Sequence, residues 1–185
     1  KLEVNHLAGT AKIIGIPNEP DRDVGVIYPR SFFEAAEEMM ANEKKIPQYF
    51  FQGRCHDSGK RIEMFDAFKR AKVCRRPLQI NKSNFALQAH NKGKWDRIYV
   101  LWLSRAWFGL CPHQQNFPAQ GHGLWTYRFI DCCMTGALPV LFRETPLCAK
   151  FIEGFHVLWN DDTTHAYNRC LAIQNRQLAR ERFSL

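Results

Sequence analysis

The sequence predicts an α/β fold, a parallel sheet with helices on both faces, preceded by a short N-terminal extension. Three observations carry that reading. Short unbroken apolar runs recur at Tyr49-Phe50-Phe51, Trp107 to Cys111, Leu138 to Phe142 and Phe155 to Trp159, as expected of strands buried on both faces. Stretches with helical apolar spacing stand between these runs. The resulting strand–helix alternation is what a parallel sheet with crossover helices requires.

Residues 1–45 form the extension. Ile16-Pro17-Asn18-Glu19-Pro20-Asp21 is turn chemistry, and Ser31 caps a helix over 32–42 that Lys44-Lys45-Ile46-Pro47 ends. Residues 46–185 form the layered domain. Gln48 to Phe51 is its first strand and closes on Gln52-Gly53-Arg54. Ser58 caps a helix from Gly59 to Lys72, with Ile62, Phe65, Phe68 and Ala71 on one face. Pro77 to Ile80 is the next strand, and 96–105 a helix with Ile98, Leu101 and Trp102 inward. Strand 107–111 stops at Pro112, and a polar, Gly-rich loop runs from His113 to Gly123. A helix over 124–135 is stopped by Gly136. Strands follow at 138–142 and 155–159, and Asp161 or Asp162 caps a last helix from Thr163 to Phe183.

Bulk composition narrows the function. Hydrophobic residues make up 45% of the 185, enough to bury a core. No apolar stretch approaches the roughly 18–20 residues needed to span a bilayer. The net charge of +8 is concentrated in residues 60–105, which hold 12 basic and 3 acidic side chains, among them Lys69, Arg70, Lys72, Arg75 and Arg76. Such a segment attracts polyanions unless it is only a solvated helix face. None of the seven cysteines makes a C-x-x-C pair, and Cys111, Cys132 and Cys133 lie in apolar runs, so free buried thiols are expected and no metal site. Free thiols favour a cytoplasmic, reducing compartment. The phosphate-loop, dinucleotide and nucleophile-elbow motifs do not occur.

Parallel sheets bind ligands at the carboxyl ends of their strands. Three predicted ends are polar or turn-rich: Gln52-Gly53-Arg54, Cys111-Pro112-His113 and Arg143-Glu144-Thr145. Arg128 and Asp131 share a face of the helix that follows Gly121-His122-Gly123. The guanidinium suits a diphosphate, the carboxylate a ribose diol, and the helix N-terminus an anion. The alternative for this pair is an ion pair on a helix surface.

Phe108-Gly109-Leu110-Cys111-Pro112, followed after a gap by Tyr127 to Leu141 with its Arg128, Asp131 and Gly136-Ala137-Leu138-Pro139-Val140, resembles the exostosin-like glycosyltransferases. Tyr49-Phe50-Phe51-Gln52-Gly53 resembles that family's F-F-x-G strand, and the likeness spans roughly residues 45–165. The resemblance implies the Rossmann-like C-terminal half of a GT-B enzyme, which transfers sugar from a UDP- or GDP-sugar to a glycan or glycoprotein, inverting and metal-independent, without cofactor. By position, Arg128 matches the phosphate-side Arg and Asp131 the ribose-side acid, where the family usually has Glu. Arg54 and Arg61 are further diphosphate candidates, and His113 with the loop after it is the candidate lining of the base pocket.

Too few residues precede the first strand for the family's N-terminal domain, which would lie on another segment or a partner chain. Spacing selects no catalytic base among Glu34, His56 and Asp57. Family-typical placement is the Golgi lumen. Two other readings stand beside the transferase: a non-catalytic module of this fold acting with a partner, and a basic nucleic-acid or polyanion-binding domain centred on 60–105. The nucleic-acid reading is the weaker, because it leaves the Arg128/Asp131 helix unused.

Overall fold

The structure, a computed structural model, describes residues 6–7, 10–11, 30–53, 59–71, 75–82, 97–112, 127–143 and 152–183. Strands β1 (His6–Leu7) and β2 (Thr10–Ala11) form a small antiparallel pair. The rest is α1 (Arg30–Asn42), β3 (Ile46–Gly53), α2 (Gly59–Arg70), β4 (Leu78–Lys82), α3 (Arg97–Arg105), β5 (Ala106–Cys111), α4 (Tyr127–Thr135), β6 (Leu138–Leu141), β7 (Leu158–Trp159) and α5 (Arg169–Phe183).

β3 to β7 make one parallel sheet in the order β4-β3-β5-β6-β7. The chain moves outward from β3 to β4, then back past β3 to β5 and onward. Right-handed crossovers change face when the direction of travel reverses. Accordingly α2 covers one face: Phe65 and Phe68 lie in the core layer with Tyr49, Phe51, Phe108, Leu138 and Val140. α1, α3 and α4 cover the other, where Phe33, Val100, Leu103, Phe129 and Ile130 pack with Phe50 and Leu141. α1 belongs to the stretch read as an extension, yet its Phe33 and Ala36 are buried in this shared core.

Two local features set how the layers meet. A Cβ on Gly109 would come within 2.2 Å of Cys132 Sγ, so glycine in β5 is what lets α4 lie directly on the strand. Pro139 pairs with Gly109 of β5, while β7 meets only Val140 and Leu141, so the proline stands where β6 has a single neighbour.

Several expectations are corrected in detail. Ile62 is 43% exposed: Phe65 and Phe68 fill the space over the sheet through ring contacts with Phe51, Tyr49 and Phe142. In α3 the buried stripe is Tyr99, Val100, Leu103 and Ser104, and Ile98 is 64% exposed. The helix is turned so that the Tyr99 hydroxyl meets Asp131, and Ser104 can be buried because its hydroxyl donates to Val100 O. β7 is confined to two residues. The last helix starts at Arg169. Asp162 Oδ2 accepts from Trp159 N at the strand end, and Asn168 Oδ1 caps the helix by accepting from Cys170 N and Leu171 N. Residues 163–168 stay irregular because His165 is drawn inward: Tyr49 Oη lies 3.0 Å from its Nδ1, and its Nε2 lies 2.7 Å from Trp159 O. The free thiols are as expected for Cys111, Cys132 and Cys133, all buried, while Cys170 is exposed.

Candidate functional site

Strand order reverses between β3 and β5, and the carboxyl edge at such a reversal is where parallel α/β sheets bind ligands. Arg128 lies there, in the first turn of α4. Its Nη2 donates to Gln52 O at 2.6 Å, and its guanidinium carbon stands 4.2 Å from the centre of the Phe51 ring. The last residue of β3 makes room for it: a Cβ on Gly53 would lie 3.0 Å from Nη2 and 3.2 Å from the Phe51 ring. The strand thus supplies an aromatic floor, a carbonyl acceptor and a gap that together fix one guanidinium. Beside them, Gln52 is buried, and its Oε1 accepts from Asn81 Nδ2 of β4 at 3.4 Å.

A cation in the first turn opposes the helix's own field, whose positive end is at the N-terminus. α4 has no acidic residue in that turn to offset it. Its first-turn N–H groups and the Arg128 side chain therefore bring positive potential to the same edge, an arrangement that favours an anion.

Asp131 lies one turn further along and faces inward. It is 2% exposed, and its Oδ2 accepts from Tyr99 Oη of α3 at 2.9 Å. Burial and the adjacent carboxylate push the Tyr99 phenol well above its ordinary value, opposed by Arg128, so it remains a protonated donor. The two residues placed on one helix face by spacing thus divide: Arg128 reaches the sheet edge, and Asp131 is held in the layer below. Tyr99, Gln52 and Phe51 were missing from the sequence-derived set. A buried polar residue in the apolar run of β3 was the available signal for Gln52. Arg54 and His113 lie outside the described residues, as does the side chain of Arg61, whose backbone is in α2.

Further along the same edge, Arg143 follows β6. Its Nε donates to both carboxylate oxygens of Asp161 at 2.9 and 3.1 Å, and its guanidinium carbon lies 4.5 Å from the Trp159 ring centre. Cys111 and Cys132 sulfurs are 3.8 Å apart beneath this edge. Burial raises the Cys132 and Cys133 thiols well above their ordinary range, which makes them poor nucleophiles. Among the described residues, no three His, Cys, Asp or Glu side chains are grouped to hold a metal ion. Among known proteins, no family model and no curated sequence matches this chain.

Proposed function

We propose that the chain is the nucleotide-sugar-binding part of a glycosyltransferase, which takes a UDP- or GDP-sugar as donor and delivers the sugar to a glycan or glycoprotein. The observation that carries this reading is the Arg128 guanidinium, held on Phe51 and Gln52 O at the carboxyl edge between β3 and β5. A nucleotide diphosphate is the anion whose size suits a crevice at a strand-order reversal. In this reading the diphosphate lies against Arg128 and the first turn of α4, which also stabilise it as the leaving group. The buried Tyr99–Asp131 pair ties α4 to α3 beneath this edge and so positions Arg128, and the ribose-side contact that the exostosin-like motif assigns to Asp131 is not part of this reading. Inversion, and transfer without a metal, come with the exostosin-like motifs and not with the geometry.

The test is isothermal titration, without added metal, of uridine and guanosine diphosphates and their sugars. One nucleotide should bind in the micromolar range. Arg128→Ala should weaken it by about 2–3 kcal/mol, roughly 30- to 150-fold, alongside a stability loss of about 1–2 kcal/mol from the bond to Gln52 O. Unchanged affinity in a folded variant sinks the assignment of Arg128. Nucleotide binding without transfer to any acceptor assigns the chain to the non-catalytic form of the fold.

A further inference from the structure

Basic side chains gather at the opposite rim of the sheet, where strands begin. Lys44 and Lys45 lead into β3, Arg75 and Arg76 into β4, Arg105 ends α3, Lys69 and Arg70 end α2, and Arg169 opens α5. The path of residues 163–168 brings α5 to this rim: Tyr167 Oη donates to Gly136 O at 3.1 Å, and the Tyr167 ring stacks on Trp107 at 5.4 Å between centres and 17° between planes.

Part of this charge has structural duties. Lys45 Nζ donates to Ala106 O and Thr135 O, Arg105 pairs with Glu43, Lys69 with Asp66, and Arg70 Nε donates to Asp66 O. Lys44 and Arg169 are exposed. Arg169 is the more telling of them. It is the first residue of a helix with no acidic side chain in its first turn, so it stands against the helix field and gains nothing from it. Apolar side chains stand among these cations. Ile46, the first residue of β3, is 38% exposed, Ile173, one turn beyond Arg169, is 39% exposed, and Trp107 is half-buried.

We propose that this amino edge docks the protein on an anionic phospholipid surface. Clustered Lys and Arg with interspersed exposed Ile match what such a surface selects: cations for the headgroups, and apolar side chains for the interfacial layer. The aromatic residues favour lipid over nucleic acid. Single-strand binding uses open ring faces on which bases stack. Here Arg76 lies 4.4 Å from the Trp107 ring centre, Tyr167 stacks on the same ring, and Lys45 lies 5.7 Å from the Tyr167 ring centre. The rings are occupied by one another and by cations. No helix among the described residues is long and apolar enough to cross a membrane.

Co-sedimentation of the full chain with phosphatidylcholine vesicles, with and without phosphatidylserine as a third of the lipid, tests this. The protein should follow the anionic vesicles alone and be released by salt. Removing a surface-facing cation should lower the partition coefficient about fivefold, so Lys44→Gln with Arg169→Gln should lower it about 25-fold. Ile46→Ser should also lower the partition coefficient onto anionic vesicles. Arg128→Ala should leave vesicle binding unchanged, which separates this surface from the nucleotide site. Equal sedimentation with neutral and anionic vesicles overturns the proposal, as does undiminished binding by the folded double variant. Binding to single-stranded RNA with no partition onto vesicles overturns it in favour of the other polyanion.

Discussion

The two rims of this sheet are built from the same strands and differ in what the helices present to them. At the carboxyl rim α4 begins, and its N–H groups already favour an anion, so a single well-held guanidinium on Phe51 concentrates the effect. At the amino rim α2, α3 and α4 end, and their last carbonyls need donors. Lys45 answers one of those carbonyls, Thr135 O of α4, and also bonds Ala106 O at the start of β5. In a parallel α/β domain, therefore, a basic amino rim is partly the ordinary consequence of helix polarity. A cation is informative where it opposes that polarity. Arg128 and Arg169 do so, one on each rim, and each anchors a separate proposal.

The contrast can be broken at several points. The largest effect expected is on the carboxyl rim, where Arg128→Ala should cost more in nucleotide affinity than in stability. Beneath it, Tyr99→Phe removes a donor from the buried Asp131 carboxylate and should lower unfolding stability by about 2 kcal/mol in a denaturant titration. A much smaller loss would mean that Asp131 is satisfied without Tyr99. At the amino rim, Asn168→Ala removes the cap of α5 and should cost about 1 kcal/mol, read from the same titration.

The smallest effect is a slope with pH. Burial pushes Lys45 down from its ordinary 10.5 to about 7. Between those values the unfolded chain holds a proton that the folded chain has released, so stability should rise with pH above about 7. Burial also lowers His165 below its ordinary 6.5, so stability should fall as pH drops below that value. Cys132 and Cys133, raised above their ordinary 9.0, act in the opposite sense once unfolded thiols ionise. Stability measured across pH 6 to 10 should therefore peak at about 8–9, between the lysine and thiol transitions. Lys45→Met should flatten the rise between about 7 and 8.5 and leave the decline above it. An unchanged rise would assign it to another group.

These features differ in how far the sequence disclosed them. β3, β5 and β6 were legible because strands buried on both faces read as unbroken apolar runs, and Gly136 marked the end of α4. The placement of Arg128 on one side of its helix was also legible. Its acceptor was not, since Gln52 is 76 positions away. The start of α5 was misplaced because Asp161 and Asp162 have the composition of a cap. What delays the helix is His165 meeting Tyr49, 116 positions away, through a contact that no local pattern encodes. Tyr99 was overlooked for the same reason, as its partner lies 32 positions downstream.

The strand order also has a consequence in time. Phe50 of β3 pairs with Gly109 of β5, so the central strand must wait for a neighbour 59 residues further along. At typical synthesis rates that delay amounts to about 3–12 seconds. Throughout it, the Tyr49-Phe50-Phe51 segment has at most β4 beside it, and its other edge is open to any passing strand. The strand order that reverses direction at β3 in the finished protein leaves the nascent chain with a sticky edge, and a chaperone would be needed most during that interval.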